Sequence, residues 1–226
     1  MSVATPRRAL IAGASGLVGQ RLLARLLADP AYGEVHALVR RPLSPTHRPA
    51  GDGARLHEHV VDFAALGRMR DMPATDDVYL CLGTTLKAAG SQEAFRRVDF
   101  DAVVGVARLA RRFGSTRCVA VSALGADAGS RVFYNRVKGE AEAALARLDY
   151  ASLTLLRPSL LDGDRAESRP GERMTLVLTR PIARWIPARW RPVGAEAVAR
   201  CMIDAGLRGD AGLRIIESDR IQAFAG

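Results

Sequence analysis

The chain has 226 residues, 48% of them hydrophobic, which fits one domain with a sizeable core and excludes a disordered or fibrous chain. The net charge of +9 raises the case for polyanionic partners, but the 31 arginines are spread along the whole chain and only two basic residues are lysine. No dense basic run interleaves with aromatics, so nucleic acid is not an expected partner, and no apolar run reaches the ~18 residues of a membrane span.

The first strand is predicted from Arg8 to Gly13, a short continuous apolar run. It leads into Gly13-Ala14-Ser15-Gly16-Leu17-Val18-Gly19, a G-x-x-G-x-x-G turn that opens directly into a helix. Free backbone amides at a helix start carry partial positive charge and hold phosphate well. Gly13 is expected to make the tight turn, Gly16 to let a pyrophosphate approach, and Gly19 to pack the helix against its strand. Leu17, Val18, Leu22, Leu23, Leu26 and Leu27 keep the helical period until Asp29-Pro30 ends it. A second strand, Val35 to Val39, ends at Arg40-Arg41. An acidic residue there would suit a ribose 2′-hydroxyl, whereas a guanidinium suits a 2′-phosphate, so the arginines favour NADP over NAD.

Residues 43–55 read as a loop, and Leu56 to Val61 as a third strand ending in Asp62-Phe63, a pair suited to an adenine. A fourth strand, Asp77 to Leu82, is followed by Gly83-Thr84-Thr85, where small and hydroxyl residues suit a cofactor's ribose and phosphates. Ser91 caps a long helix to about Phe113, with Ala94, Val98, Ala102, Val106 and Leu109 on one face. Arg117 to Val121 is the fifth strand, with Ser122 just beyond it. A helix carrying Tyr134 and Lys138 follows to about Leu148, and Ala151 to Arg157 is the sixth strand. Residues 158–194 are expected to form an irregular substrate or lid segment. Within it, 174–192 is basic and apolar, with Trp185 and Trp190, and is the one stretch that suggests a membrane surface or protein partner. A helix from Ala195 to Leu207, a short strand from Leu213 to Ile216 and a last helical turn from Ser218 to Phe224 complete the chain. Strands alternating with helices argue for a single α/β domain, residues 1–226, built on a doubly wound parallel sheet.

Cys81, Cys118 and Cys201 are far apart and read as reduced thiols of a cytoplasmic protein; His36, His47, His57 and His59 read as surface histidines, with no metal site. The chemistry is expected at Tyr134 and Lys138, four residues apart on one helical face. A free phenol, with a pKa of about 10, is a poor base near neutral pH, and a nearby ammonium favours its ionised form. Ser122 is placed to donate to the same substrate oxygen. Lysine is rare in this chain, so its presence at 138 points to a need for a compact ammonium. Lys87, the other lysine, has no assigned role.

Taken together, Gly13/Gly16/Gly19, Ser122 and Tyr134-x-x-x-Lys138 resemble the short-chain dehydrogenase/reductase superfamily. More narrowly, Cys81-Leu82-Gly83-Thr84-Thr85, Val98-Asp99, Val121 to Ala126 and Tyr134 to Glu140 resemble its atypical branch of Tat-interacting-protein-like and NAD(P)H-binding epimerase-like proteins. The resemblance implies a Rossmann fold with NADP(H) in its crevice, Tyr134 as acid/base, Lys138 on the nicotinamide ribose and Ser122 on the carbonyl. The cofactor would be held by Gly13, Ser15, Gly16, Leu17, Val18, Gly19, Arg40, Arg41, Asp62, Phe63, Leu82, Gly83, Thr84 and Lys138. Two departures stand out. Asp99 occupies a place where the superfamily often has asparagine, and the 69 residues after Arg157 are few for a nucleotide-sugar pocket. The expected function is an NADP-dependent oxidoreductase acting on a small carbonyl or alcohol. The alternative is a non-catalytic NADPH-binding regulator or assembly protein with a protein partner.

Overall fold

The computed structural model describes residues 5–48, 55–162 and 187–225. Its centre is β1 (Arg7–Ala12), whose last four residues are fully buried. Strands β2 (Tyr32–Val39) and β3 (Leu56–Val60) lie to one side of it. On the other side lie β4 (Asp77–Leu80), β5 (Arg117–Val121), β6 (Ser152–Arg157) and β9 (Gly212–Glu217). The order is β3-β2-β1-β4-β5-β6-β9, and every pairing is parallel. The short C-terminal strand expected from the sequence is therefore the seventh member of the main sheet. A separate two-stranded pairing joins β7 (Leu161–Asp162) to β8 (Val193–Gly194). Most of the expected lid, including residues 163–186 with Trp185, lies outside the described residues. Trp190, at the end of a short 3-10 turn, is exposed.

Strands buried on both faces need apolar residues throughout, which is why β1 and β4 show no alternation. On one face α1 (Leu17–Ala28) packs its leucine stripe with the apolar side of α6 (Ala195–Arg208). On the other face lie the long helical segment before β5 and α5 (Phe133–Ala146). A final short helix, α7 (Ser218–Gln222), follows β9. A helix absent from the sequence expectation, α2 (Leu86–Ala89), follows the loop after β4, with the Thr85 hydroxyl accepting from the Ala88 amide at 3.1 Å. Lys87 is exposed on it.

The long helix before β5 is where the sequence reading needs correction. It runs as α3 (Gln92–Arg96), a π-helical turn over Arg97–Ala102, and α4 (Val103–Arg112). Ser91 caps it as expected, its hydroxyl accepting from the Ala94 amide. The π turn inserts extra backbone, so residues before it are rotated relative to a straight helix. Phe95 and Asp99 are buried there, instead of the Ala94 and Val98 that a regular 3.6 repeat selects.

The amino edge of the sheet is closed by a buried polar network. The Tyr32 hydroxyl lies 2.7 Å from Asp77 Oδ2 and 2.6 Å from the Tyr79 hydroxyl, and Arg7 joins Asp77 to the Gly206 carbonyl of α6. Among the described residues, no helix is long and apolar enough to cross a membrane.

The histidines are not all surface groups. His36 on β2 is 4% exposed, opposite His57 on β3, and its Nδ1 lies 3.0 Å from His59 Nε2. Glu34 Oε2 is 3.4 Å from its other nitrogen. No group of three such side chains among the described residues is arranged to hold a metal ion. Burial, and next the neighbouring imidazoles His59 and His57, push His36 below the usual histidine range, against a smaller opposing effect of Glu34. Burial and then His57 do the same for His59. The unfolded chain therefore binds more protons just below pH 6.5, so stability falls as pH drops from there toward the lowered values of the folded state. The melting temperature should decline from pH 7.5 to 5.5, by roughly 2–4 °C for each kcal/mol of linked stability. His36→Asn should flatten that decline, and curves running parallel for the two proteins would contradict the assignment.

Candidate functional site

The order of strands reverses between β1 and β4: the chain leaves β1 toward β2 and leaves β4 toward β5. In open α/β sheets, ligands bind in the crevice outside the carboxyl ends at such a reversal. The loop after β1 is built for close approach. Gly13 has φ +90°, and a Cβ there would lie 2.6 Å from the Cys81 carbonyl carbon and oxygen and 2.8 Å from the Leu82 nitrogen. Its carbonyl accepts from the Gly16 amide at 3.0 Å, and a Cβ on Gly19 would lie 2.0 Å from that same carbonyl oxygen. Gly19 thus seats the helix against the loop itself, not against the strand as the sequence suggested. Gly16 caps α1 with no side chain filling the cap, which leaves the leading amides available to an anion. A Cβ on Gly16 would meet nothing nearer than the Gly13 oxygen at 3.3 Å.

Ser15 is exposed, and its carbonyl accepts from the Gln20 side chain at 2.8 Å. Leu17 is partly buried against the core and Val18 is buried in it, so Val18 can offer a ligand only its backbone. Arg40 and Arg41 are exposed directly after β2. Asp62 is exposed after β3, and its carboxylate accepts from the Ala64 amide at 2.9 Å. Phe63 and Leu82 are partly buried against the core, Gly83 is exposed, and the Thr84 amide donates to Asp99 Oδ2 at 2.9 Å.

Farther along the same edge, Ser122 follows β5, and its amide donates to the Leu156 carbonyl at 2.7 Å. Its hydroxyl is buried and has no partner among the described residues. A buried hydroxyl left unpaired is costly, and such a group in a crevice marks a place where a ligand completes the structure. Tyr134 and Lys138 are one turn apart on α5. The half-buried Tyr134 ring lies 5.4 Å from that of Phe95, tilted by 48°. Lys138 is 6% exposed, and its Nζ lies 2.7 Å from Asp99 Oδ1.

Asp99 is the residue whose part the sequence left undefined. The π turn points it inward, and its two oxygens engage the loop after β4 and the ammonium on α5. An acid set between Val98 and Phe100 was the available signal, but a straight-helix projection turns it away from the buried stripe. These cradle and edge features fit a nicotinamide dinucleotide: the uncapped helix start and the glycine-lined approach suit its diphosphate, and the orphaned Ser122 hydroxyl lies on the same edge.

Comparison with known proteins agrees with that fit. A family model described as NAD(P)H-binding matches residues 13–185. Protein HTATIP2 of Rattus norvegicus is 35% identical over 198 residues, covering 86% of this chain and 78% of that one. The mitochondrial protein FMP52 of Candida albicans is 31% identical over 205 residues, covering 88% and 87%. Among solved structures, Bordetella bronchiseptica WbmG in complex with NAD superposes with a TM-score of 0.69 at 16% identity, covering 96% of this chain and 74% of that one. MoeE5 in complex with UDP-glucose and NAD gives 0.68 at 17%, covering 95% and 79%. At such identities the two structures speak for the fold alone, whereas the family model and the two relatives span most of the chain. The chain belongs to the NAD(P)H-binding family, in the atypical short-chain dehydrogenase/reductase branch that includes HTATIP2 and FMP52.

Proposed function

We propose that this protein is an NADP-dependent oxidoreductase acting on a small carbonyl or alcohol. The observation that carries the reading is the buried, unpartnered Ser122 hydroxyl on the same crevice edge as the Tyr134–Lys138 helix and the glycine cradle. When bound, the nicotinamide coenzyme supplies or accepts the hydride. The chain's own groups do the rest. The amides at the start of α1 hold the diphosphate, with Gly13, Ser15, Gly16, Leu17, Val18 and Gly19 forming the loop. Arg40 and Arg41 hold a 2′-phosphate, and Asp62 with Phe63 flank the adenine. Leu82, Gly83 and Thr84 line the path toward Lys138, which donates to the nicotinamide ribose. Ser122 donates to the substrate oxygen and fixes its position, and Tyr134 exchanges a proton with that oxygen. Residues 158–162 and 187–194 supply the substrate side.

A second reading has its own support. Lys138 is paired with Asp99, so its charge is already balanced within the chain instead of being reserved for the phenol. That arrangement suits a protein that binds NADPH and reports its presence to a protein partner without turnover.

Two experiments separate these readings and test the coenzyme. With NADPH consumption followed over a panel of small carbonyls, Tyr134→Phe should lose about 10²-fold or more of the rate while still binding NADPH. Equal rates in the two proteins would remove the acid/base role, and no turnover in either would favour the non-catalytic reading. Arg40→Ala combined with Arg41→Ala should weaken NADPH binding by about tenfold or more, the size of a lost charge-assisted hydrogen bond, and leave NADH nearly unchanged. Equal loss for both coenzymes would contradict the 2′-phosphate assignment.

A further inference from the structure

The Asp99–Lys138 pair has properties beyond holding a lysine in place. Both side chains are almost wholly buried, at 0% and 7% exposure, yet they lie directly beneath the exposed backbone of Gly83. A Cβ on Gly83 would sit 3.5 Å from Asp99 Oδ1 and 3.7 Å from Lys138 Nζ. No side chain at 83 therefore separates a ligand on this rim from the pair. The carboxylate is held from two sides, by the ammonium at 2.7 Å and by the Thr84 amide at 2.9 Å. The neighbouring charges on the same helices, Arg96 and Glu140, are likewise paired with each other. The ammonium buried under Gly83 is thus balanced by the carboxylate that touches it.

Balance matters because the two forms of a nicotinamide coenzyme differ by one unit of charge on the ring. In a partly screened interior a fixed charge acts on such a ring with an energy worth a factor of ten or more in affinity. An uncompensated ammonium would disfavour the oxidised form, and an uncompensated carboxylate would favour it. We propose that Asp99 is a specificity-determining residue for coenzyme redox state: by cancelling the Lys138 charge beneath Gly83, it allows the crevice to hold NADP+ as well as NADPH. This rests on the reading of the crevice as a nicotinamide site with Lys138 near the nicotinamide ribose. It applies equally to a turning-over enzyme, which must hold both forms, and to a redox reporter, whose response is set by their relative affinities.

The test is the ratio of dissociation constants, Kd for NADP+ over Kd for NADPH, measured by calorimetric titration without any substrate. Asp99→Asn keeps an oxygen for the Thr84 amide and leaves Lys138 uncompensated, so the ratio should rise by about tenfold. Lys138→Met leaves the carboxylate uncompensated and should lower it. The double variant restores neutrality and should return within about twofold of the wild-type ratio, and it keeps the test open where a singly charged variant folds poorly. Equal weakening of both coenzymes in a folded Asp99→Asn protein means a structural role and overturns the proposal, as does a ratio unmoved across the set. A wild-type protein that binds neither form overturns the nicotinamide reading itself, which distinguishes that failure from a failure of the charge argument.

Discussion

Three stretches of backbone meet at the point where the sheet changes direction, and there is no room between them for a side chain. Gly13 lies against the Cys81–Leu82 backbone in a left-handed conformation, and its carbonyl oxygen occupies the space where a Gly19 Cβ would be. That contact fixes the start of α1 relative to the ends of β1 and β4, and so fixes where its free amides point. Any residue larger than glycine at 13 or 19 collides with main chain, which cannot rotate out of the way as a side chain can.

The two ends of the sheet use polar groups in opposite ways. At the amino end, Tyr32, Tyr79, Asp77 and Arg7 bond to one another, and Arg7 ties α6 to the sheet through the Gly206 carbonyl. A network of that kind contributes rigidity between the strands and the helix it joins. At the carboxyl end the Ser122 hydroxyl lacks a partner among the described residues, the cap of α1 is unfilled, and Asp99 spans a loop and a helix instead of closing a local pair. The rigid end holds the strands in register, so the open end can present groups from several of them on one rim.

Much of this was legible in the residues. The glycine spacing located the loop, the alternation of apolar runs located the sheet, and Tyr134-x-x-x-Lys138 fell on one helix face as the spacing required. Readings failed where a local irregularity broke the assumed period. The π turn at Arg97–Ala102 moved the buried face from Ala94 and Val98 to Phe95 and Asp99, and no 3.6-residue projection contains that insertion. His36 reads as a surface histidine from the sequence because its burial on β2 depends on its position beside His57 and His59 of β3, which is a tertiary fact. The packing target of Gly19 was hidden for the same reason, since the carbonyl it faces is six residues away and turned toward it by Gly13. The family resemblance supplied roles for side chains, and the geometry supplied the partner of Lys138 that the resemblance did not contain.

The central claim is that the opening of α1 is a diphosphate cradle, and its most direct measurement is NADPH titration of the wild-type protein beside Gly16→Asp. A carboxylate at 16 puts negative charge at the helix start in the space a diphosphate needs, and its first carbon would lie 3.3 Å from the Gly13 carbonyl oxygen, a close contact that the loop must yield to slightly. The expected result is saturable one-to-one binding to the wild type and a loss of about 10²-fold or more in the variant, compared at a temperature where its melting curve shows it folded. Undiminished binding in a folded Gly16→Asp protein would contradict the cradle and, with it, the placement of every group along the crevice.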